Sequence, residues 1–449
     1  MSQTKVHFMG IGGSGLSGVA VLAKAQGYQV SGCDLVEKTP YIEKLKKLKI
    51  PISVGHDASH LNNVDVLSVT PAAFFQNKNH PEFIRGKKEK KLMTWQEFLG
   101  KYLQKDKTVI CIAGTHGKST TTAMASLLFE EAKLEPWAMV GATLKKWQSN
   151  ARVGKSKIFI TESDEFYDNF LSYKPDVIVL NNIEFDHPDY FKNEKQMFES
   201  FRKFIENLQG MKVLIYNKDD SGIKKLLELI GKERLKNLNL YGYTTKGSKI
   251  VYRKNETEFE VDGDEFKLKI PGKYNVSNAL GVIILGKLFK IPIAEIKKSL
   301  SEFEGIERRL ELIGEKKNIK VYDDYAHHPT AIKATLEGLR QKYPQERIWA
   351  IVEPHTFSRT RALLKFYKNA FDEADKIIIT PIFRSRDQED FGISGESVVK
   401  VVRKKDIQYL DSFDKIVRLV KEGVRPKDIV IVMGAGQSYD LSRQILNSL

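Results

Sequence analysis

The amino-acid sequence predicts an α/β protein with three domains. Short runs of β-branched residues alternate with longer helical patterns along nearly the whole chain, an order typical of parallel sheets flanked by helices. The chain has 449 residues, and since domains of about 150 residues are common, this length favours three domains. Hydrophobic residues make up 41% and charged residues 29%, which excludes a disordered or collagen-like chain.

The first domain is predicted over residues 1–106. Its main elements are expected to be a helix at Tyr41–Leu48 and strands at Val6–Met9, Gln29–Gly32 and Val64–Thr70. From Lys87 to Lys107 the chain becomes rich in lysine, and the alternation of strands and helices pauses. We therefore place a domain boundary near residue 106.

The second domain is predicted over residues 107–304. It is expected to contain a helix at 293–304 and strands at Thr108–Ala113, Lys157–Thr161 and Val177–Leu180. Alternating residues from Lys249 to Ile270, with Asp262-Gly263 between them, predict an antiparallel hairpin insertion.

The third domain is predicted over residues 305–449. A connector is expected from Gly305 to Gly314. It is followed by predicted strands at Ile319–Tyr322, Arg347–Val352, Lys376–Thr380 and Asp428–Met433.

The charge balance and the cysteine content limit the classes of partner. Lysine and arginine total 72 against 57 acidic residues, a net charge of +15 that suits anionic ligands. The longest basic stretch, Arg85–Lys91, contains no aromatic residues for stacking bases, so we expect no nucleic-acid partner.

The sequence has neither an apolar run of the roughly 18 residues that a membrane span needs nor a recognisable signal peptide, so we expect a cytoplasmic protein without membrane insertion. Two cysteines, Cys33 and Cys111, are too few for a disulfide scaffold or a four-thiolate zinc site.

A glycine-rich turn follows the first strand. It contains Gly10, Gly12, Gly13, Ser14 and Gly15 and leads into a predicted helix. Glycines at this point allow the backbone to approach a phosphate, which the positive N-terminus of the helix then stabilises. Asp34 lies at the end of the next strand, where dinucleotide-binding folds place the acid that binds a ribose. Taken alone, the pattern favours NAD.

A second phosphate-binding pattern follows the strand that ends at Ala113. Its residues are Gly114, Thr115, His116, Gly117, Lys118, Ser119 and Thr120. In such a loop the lysine neutralises the β- and γ-phosphates, backbone N–H groups surround them, and the serine hydroxyl reaches Mg²⁺. Gly114 lies only three residues before Gly117, so the loop is shorter than the usual one. The pattern predicts a site for a nucleoside triphosphate.

Polar residues follow the next two strands of the second domain. One strand runs into Glu162 and the acidic residues after it, and the other runs into Glu184 to His187. The carboxyl ends of parallel strands form the ligand crevice of an open sheet. We therefore expect Lys118, a carboxylate such as Glu162, and His187 to form a site for Mg²⁺ and phosphate.

Two polar segments of the third domain also follow predicted strands. Asp323 to Thr330 include His327 and His328, and aspartate and histidine together could suggest a metal site, but no second ligand cluster supports one there. The other segment contains His355 and Arg359, and an arginine near a strand's carboxyl end is suited to bind a carboxylate in a bidentate manner.

The complete set of motifs resembles that of the Mur ligases. In chain order the matching segments are GIGGSGLSG, AGTHGKSTTTAM, ESDEF, NNIEFDH, GKYNVSNA, EGIERRLELIG, DDYAHHPTAI and EPHTFSRTR. The resemblance extends from residue 5 to about residue 440. It implies a Rossmann-like N-terminal domain, a central P-loop ATPase-type domain with a small antiparallel insertion, and a Rossmann-like C-terminal domain.

The resemblance also implies ligands for particular residues. The N-terminal domain would bind UDP-N-acetylmuramate, which replaces NAD as the expected ligand of the glycine turn, through Gly10, Gly12, Gly13, Ser14, Gly15, Asp34, His56 and Thr70. ATP would be bound by residues 114–120 together with Asn275, Asn278, Arg309 and Asp324, and Mg²⁺ by Ser119, Glu162 and His187. The amino acid would be bound by Tyr325, His327, His355 and Arg359. Catalysis would depend on Lys118, Glu162, His187, Arg309, Asp324 and His327. The general base would be one of three candidates, His327, His328 and His355.

Within the family, the motifs are most similar to those of enzymes that add L-alanine to UDP-N-acetylmuramate. A recycling ligase that adds a tripeptide to the same nucleotide is the nearest alternative, and Ala331-Ile332 favours it, whereas the segment Pro354–Thr360 favours the alanine-adding enzyme. An NAD-dependent dehydrogenase and a nucleotide-binding regulator without turnover are more distant alternatives. The oligomeric state is not predicted.

Overall fold

A computed structural model describes residues 3–71 and 79–449 of the chain. The chain divides into two compact units, each built from several segments. The first unit comprises residues 1–184, 195–243 and 281–295, and the second comprises residues 185–194, 244–280 and 296–449. The three-domain division at residues 106 and 304 therefore remains a prediction.

The first sheet of the first unit has five parallel strands in the order β3-β2-β1-β4-β5. The strands are β1 (Lys5–Met9), β2 (Gln29–Asp34), β3 (Ile52–Val54), β4 (Val66–Val69) and β5 (Leu92–Thr94). The helices of this region are α1 (Ser14–Ala25), α2 (Pro40–Lys47), α3 (Pro81–Lys88) and α4 (Trp95–Phe98), with shorter helical turns at Ala58–Leu61 and Leu99–Leu103. All four residues of β4 are buried, as expected of a strand covered on both faces. The strand order reverses at β1, so the carboxyl ends of β1 and β4 border the crevice where open sheets bind ligands.

The second sheet of the first unit has seven strands in the order β12-β11-β10-β6-β9-β7-β8. Its strands are β6 (Thr108–Ala113), β7 (Trp137–Leu144), β8 (Ser149–Arg152), β9 (Ile158–Glu162), β10 (Val177–Leu180), β11 (Val213–Asn217) and β12 (Asn239–Tyr243). All neighbours are parallel except β7 and β8. The helices are α5 (Lys118–Glu131), α6 (Glu194–Glu206), α7 (Ser221–Ile230) and α8 (Lys232–Leu235), with a helical turn at Phe166–Ser172. β6 lies between β9 and β10, so the residues that follow these three strands share one edge of the sheet.

The second unit contains a small sheet and a large one. The small sheet is antiparallel and consists of β13 (Ile250–Tyr252), β14 (Thr257–Val261) and β15 (Asp264–Leu268). The large sheet has the order β16-β17-β21-β18-β19-β20 and is parallel except for the pairing of β16 with β17. Its strands are β16 (Glu311–Lys316), β17 (Ile319–Asp324), β18 (Ile348–Glu353), β19 (Lys376–Ile379), β20 (Ile407–Tyr409) and β21 (Ile429–Gly434).

The boundary between the two units falls within two helices, α9 (Lys273–Leu288) and α10 (Ile293–Glu302). The remaining helices of the second unit are α11 (Pro329–Lys342), α12 (Phe357–Leu363), α13 (Gly395–Val401), α14 (Phe413–Gly423) and α15 (Ser438–Ser448), with a helical turn at Leu364–Asn369. No helix in the described part of the chain combines the length and the apolar character that crossing a membrane requires.

Three local predictions differ from the structure. The expected connector 305–314 overlaps β16, because Lys317 and Asn318 both adopt positive φ and form a two-residue turn that pairs β16 with β17. The predicted pause at 87–107 contains β5, a strand of only three residues that is too short to show alternation. The predicted hairpin at 249–270 has a third strand, β13, and is a three-stranded sheet.

Candidate active site

The N-terminal glycine turn is held closed by the end of β2. The backbone N–H groups of Gly10 and Ile11 donate to the Cys33 carbonyl over 2.8 and 3.1 Å. The Gly12 N–H donates to Asp34 Oδ2 over 2.8 Å, so this carboxylate orders the turn itself. A Cβ atom added at Gly12 would lie 2.8 Å from the same oxygen, which explains the need for glycine there. Gly13 then serves as the N-cap of α1.

The other predicted residues of this site lie around the turn. Asn150 Nδ2 on β8 donates to the Ser14 carbonyl over 2.8 Å. A Cβ at Gly15 would be 3.1 Å from the Trp95 ring, and one at Gly10 would be 3.9 Å from Thr70 Cγ2. The structure therefore groups the predicted glycines, Ser14, Asp34 and Thr70 at the carboxyl ends of β1, β2 and β4.

The phosphate loop after β6 requires glycine at two positions. Gly114 has φ +126° and Gly117 has φ +80°, both in the region that glycine adopts most easily. A Cβ at Gly114 would also lie only 2.8 Å from the Asn182 carbonyl oxygen. The loop leads directly into α5, whose N-terminal turn contains Ser119 and Thr120, both buried.

Residues after β10 hold the phosphate loop in place. The His116 N–H donates to Asn182 Oδ1 over 2.8 Å, and the His116 Nε2 lies 2.9 Å from Glu184 Oε2. Thr115 Oγ1 donates to the Glu184 carbonyl and accepts from its N–H group, both over 2.9 Å. Asn182 and Glu184, which follow β10, thus hold the loop in place through hydrogen bonds.

Lys118 is paired with carboxylates that follow β9. Its Nζ lies 2.6 Å from Glu165 Oε2 and 3.4 Å from Asp164 Oδ1. Burial opposes the charge of the lysine, but Glu165, Asp164 and Glu162 outweigh that effect and raise the pKa of Lys118. Burial raises the pKa of Glu165 to about 7, although the nearby Lys118 opposes the shift. Lys118 therefore stays charged and suits an anionic ligand.

Oxygen ligands suitable for Mg²⁺ lie at the same sheet edge. Glu162 ends β9 and is in register with Ile112 of β6. The Gly141 N–H donates to Glu162 Oε2 over 2.6 Å, and the described residues make no hydrogen bond to its Oε1. Because Mg²⁺ prefers carboxylate and hydroxyl oxygens, Glu162 and Ser119 fit this ion. The third predicted ligand, His187, lies in the second unit and is described with that unit.

In the second unit, a buried arginine is held by one carboxylate and two imidazoles. Arg359 is 3% exposed, and its Nε donates to Asp186 Oδ1 over 2.7 Å. Its Nη1 and Nη2 lie 3.1 Å from His355 Nδ1 and 3.0 Å from His187 Nδ1. We call these four residues the arginine cluster. Three of the five guanidinium N–H groups are used within the cluster.

The electrostatics around the arginine cluster keep His355 and His327 neutral. Burial opposes ionisation of Asp186, but Arg359 prevails and holds the pKa of this carboxyl well below its usual value. Burial, Arg359 and Arg386 lower the pKa of His355 to about 3. Burial, Arg359 and His355 likewise lower the pKa of His327 well below its usual value.

Hydrogen bonds distinguish the three candidate bases by their tautomers. His355 Nδ1 accepts from Arg359, and His328 Nδ1 accepts from the Thr330 N–H over 3.2 Å as the N-cap of α11. In both neutral rings the proton therefore lies on Nε2. His327 Nδ1 lies 2.8 Å from the Tyr325 carbonyl, which can only accept, so its Nε2 carries the lone pair. Of these three rings, His327 alone presents an imidazole lone pair on Nε2.

The start of the third predicted domain contains a second group of charged residues. Asp324 accepts from the N–H groups of Leu310 and Ala326, both over 2.7 Å. Arg309 stacks over the Tyr325 ring at 5.0 Å, as does Arg308. The predicted residues Arg309, Asp324 and Tyr325 thus lie together.

The two predicted adenine-site asparagines lie at the start of α9. Asn275 Nδ2 donates to the Pro271 carbonyl over 2.7 Å, and Asn278 Nδ2 donates to Asn275 Oδ1 over 3.4 Å. Both side chains are buried and adjacent on one face of the helix.

Models of three protein domains match the chain in order. The Mur ligase family catalytic domain matches residues 5–106, the Mur ligase middle domain residues 112–286, and the Mur ligase glutamate ligase domain residues 308–436. UDP-N-acetylmuramate–L-alanine ligase of Alkaliphilus metalliredigens is 35% identical over 98% of this chain and 96% of its own length. The chain belongs to the Mur ligase family.

Other proteins resemble this Mur ligase along its whole length. The UDP-N-acetylmuramate–L-alanine ligase of Caldanaerobacter subterraneus subsp. tengcongensis is 36% identical over 98% of this chain and 97% of its own length. The crystal structure of the UDP-N-acetylmuramate–alanine ligase of Thermotoga maritima superposes with a TM-score of 0.77 at 26% identity and covers 99% of both chains. A murein peptide ligase of Psychrobacter arcticus shares the fold, with a TM-score of 0.68 at 22% identity over 99% of this chain and 98% of that one. The predicted family and the α/β fold with parallel-rich sheets are confirmed, and the dehydrogenase alternative is set aside.

Sequence reasoning missed several residues that organise the site of this Mur ligase. Asn182 holds the phosphate loop, and Asp186 holds Arg359, yet neither received a role. Both lie in the segment NNIEFDH, which matched the family as a whole. The signal was therefore present, but their partners are 66 and 173 residues away in the chain.

Proposed function

We propose that the chain catalyses the ATP-dependent addition of L-alanine to UDP-N-acetylmuramate, a step of peptidoglycan precursor synthesis. The observation that carries the proposal is the similarity, over nearly the full length, to enzymes named for this reaction. The braced phosphate loop with its charged Lys118 supports ATP as the second substrate.

In the proposed reaction, the carboxylate of UDP-N-acetylmuramate attacks the γ-phosphorus of ATP and releases ADP. The product is an acyl phosphate, which activates a carboxylate that is otherwise unreactive toward amines. The neutral amine of L-alanine then attacks the carbonyl, its nitrogen loses a proton, and inorganic phosphate leaves from the tetrahedral intermediate. Lys118 stabilises the charge on the transferring phosphoryl group.

Mg²⁺ is part of the proposal as a second source of positive charge. Ser119 and Glu162 would hold the ion through oxygen atoms, with His187 as the third proposed ligand. When bound, the ion would neutralise charge on the phosphates during transfer.

We assign proton transfer in the amide-forming step to His327. Its Nε2 lone pair can accept the proton that the nitrogen of the tetrahedral intermediate loses as the amide forms. Because the pKa of His327 is lowered, its ring is neutral at pH 7 and can accept a proton on Nε2. The Nε2–H group of His355 and the guanidinium of Arg359 are donors suited to the carboxylate of L-alanine.

Phosphate release from ATP tests the proposed reaction. The enzyme is incubated with UDP-N-acetylmuramate, ATP and Mg²⁺, and with L-alanine, glycine, L-serine or the tripeptide in turn. We expect the highest kcat/KM with L-alanine. Release with the tripeptide alone would assign the chain to recycling, and ATP binding without substrate-dependent release would indicate a regulator.

The variant Lys118→Ala tests the role of the phosphate loop. We expect its kcat for ligation to fall by about 10² to 10⁴, since it loses a positive charge that stabilises the transition state. Lys105→Ala, which removes an exposed lysine before β6, is the matched control and should retain the activity. Near-normal ligation by Lys118→Ala would contradict the assignment.

A further inference from the structure

Glu82 is a fully buried carboxylate in the first turn of α3, and none of its contacts among the described residues is with lysine or arginine. Its neighbours are instead imidazoles and a thiol. His7 Nε2 lies 3.3 Å from Glu82 Oε1, and His60 Nδ1 lies 3.6 Å from the same oxygen. Cys33 Sγ lies 3.6 Å from both carboxylate oxygens. We call His7, Cys33, His60 and Glu82 the His/Cys cluster.

The spacing of these four residues fits one metal ion. One ligand atom from each residue lies within 4.8 Å of the ligand atoms of the other three. Bonds of about 2.0–2.3 Å to nitrogen, oxygen and sulfur in a tetrahedron place the ligand atoms roughly 3.3–3.7 Å apart. The contacts of 3.3–3.6 Å around Glu82 agree with this geometry.

The donor nitrogen of His7 already faces the other members of the cluster. His7 is 3% exposed, and its Nδ1 lies 2.9 Å from Ser31 Oγ, which leaves Nε2 to face Glu82. Although it is buried, His7 Nε2 makes no hydrogen bond to the described residues. A metal ligand of this kind usually has its second ring nitrogen held by an outer hydrogen bond, as Ser31 provides here.

The surroundings of the other ligands are compatible with metal binding. Cys33 is fully buried, while its carbonyl holds the glycine turn. His60 Nδ1 accepts only a long hydrogen bond of 3.4 Å from the Asp57 N–H, which a metal bond would replace. His56 Nδ1 lies 3.0 Å from Cys33 Sγ and 4.0 Å from Glu82, as an outer neighbour of the thiol.

We propose that His7, Cys33, His60 and Glu82 form a structural zinc site in the N-terminal region. The thiolate and the carboxylate supply two negative charges that match Zn²⁺, and the imidazoles bind as neutral ligands. Two nitrogen ligands and one sulfur ligand favour Zn²⁺ over Mg²⁺ or Ca²⁺, which prefer oxygen alone. Four protein ligands without an open position indicate a structural ion rather than a catalytic one.

The alternative occupant of the cluster is a proton. Protonation of one imidazole would also neutralise Glu82, with the thiol uncharged and no metal bound. The two possibilities differ in metal content and in the state of Cys33. They can be separated without any measurement of ligase activity, so this proposal and the proposed function can fail independently.

The test uses full-length protein without a histidine tag, produced with zinc in the medium. Elemental analysis after gel filtration should find about one zinc per chain, as expected for a closed four-ligand site. Cys33→Ser and His60→Ala should each lose the bound zinc, whereas Cys111→Ser, which changes the other buried cysteine, should keep it. Circular dichroism verifies that each variant is folded.

Substitution of Co²⁺ for Zn²⁺ tests directly whether the Cys33 thiolate binds the metal. Protein loaded with Co²⁺ should show a charge-transfer absorption band that persists in Cys111→Ser and disappears in Cys33→Ser. In Ser31→Ala the ring of His7 loses its outer partner, and the zinc affinity should fall by about 10- to 100-fold. Absence of bound zinc in the unmodified protein, or equal zinc and an equal cobalt band in Cys33→Ser, would overturn the proposal.

Discussion

Two buried carboxylates of this chain are surrounded by histidines, and they differ in the cation beside them. Asp186 has Arg359 at 2.7 Å, and the two imidazoles of the arginine cluster act as neutral acceptors for the same guanidinium. Glu82 has three imidazoles within 4.0 Å and a thiol, but no lysine or arginine contacts it in the described part of the chain.

The difference shows how burial determines the role of a histidine. A buried charge needs a partner, since its removal from water costs several kcal/mol. In the arginine cluster the guanidinium provides that partner, so the histidines stay neutral. In the His/Cys cluster the partner must come from outside the protein, as a proton or a metal ion.

The largest effect is expected from removal of the guanidinium. Arg359→Met leaves Asp186 buried without a cation, and the free energy of unfolding should fall by about 3–5 kcal/mol. Urea unfolding at pH 7 measures the change. Arg361→Met on the same helix is the control, since Arg361 is exposed and its loss should cost less than about 1 kcal/mol. Equal losses in both variants would mean that Asp186 does not depend on Arg359.

Acid should destabilise the arginine cluster by a smaller amount. The pKa of His355 is about 3 in the folded protein and about 6.5 in the unfolded chain, so the folded state binds fewer protons between these values. This contribution is fully present above about pH 6.5 and is lost as the pH falls toward 3. From pH 7 to pH 5 the loss should be about 2 kcal/mol for this group.

The variant His355→Gln isolates that contribution. Urea unfolding at pH 7 and pH 5 measures how much unfolding free energy is lost on acidification. This loss should be about 2 kcal/mol smaller in the variant than in the unmodified protein. Asp186 titrates below this pH range because its pKa is also lowered, so it does not obscure the comparison. An equal loss of unfolding free energy in both proteins would show that the imidazole of His355 is protonated without cost in the folded state.

The smallest effect is expected at Glu82. In protein treated with a chelator, Glu82→Gln replaces a buried carboxylate that no lysine or arginine contacts in the described part of the chain, so the free energy of unfolding should stay unchanged or rise by about 1 kcal/mol. Asp186→Asn, the matched variant in the other cluster, should lower it because Arg359 then loses its carboxylate partner. Urea unfolding of both chelator-treated variants shows whether each substitution raises or lowers the free energy of unfolding. A clear decrease for Glu82→Gln would indicate a permanent cation partner within the fold.

Much of the candidate site could be predicted from the sequence where the chemistry is local. The phosphate loop from Gly114 to Ser119 is contiguous, so its glycines, lysine and serine predict a triphosphate site without any knowledge of the tertiary structure. The ends of β9 and β10 could be assigned to the same edge because parallel strands place their carboxyl ends together. The pairing of Lys118 with Glu165 rather than Glu162 could not be read from the sequence, since several acids follow the same strand.

The histidines show the same limit. Five of the nine follow strands of the last two predicted domains, which makes them candidates for a functional role, whereas no motif assigns a role to His7, His60 or His80 in the first domain. His7 points into a cluster with residues from β2 and α3, up to 75 positions away. No spacing rule for metal ligands covers such a set.

By itself, the sequence determined the α/β class, the family and the phosphate loop of this protein, because these depend on neighbouring residues and on the order of the motifs. Only the tertiary structure decided which buried charge meets which partner: Arg359 with Asp186, and Glu82 with imidazoles and a thiol. The physical reason is that burial and distance set the cost of a charge, and both depend on how strands far apart in the chain pack together.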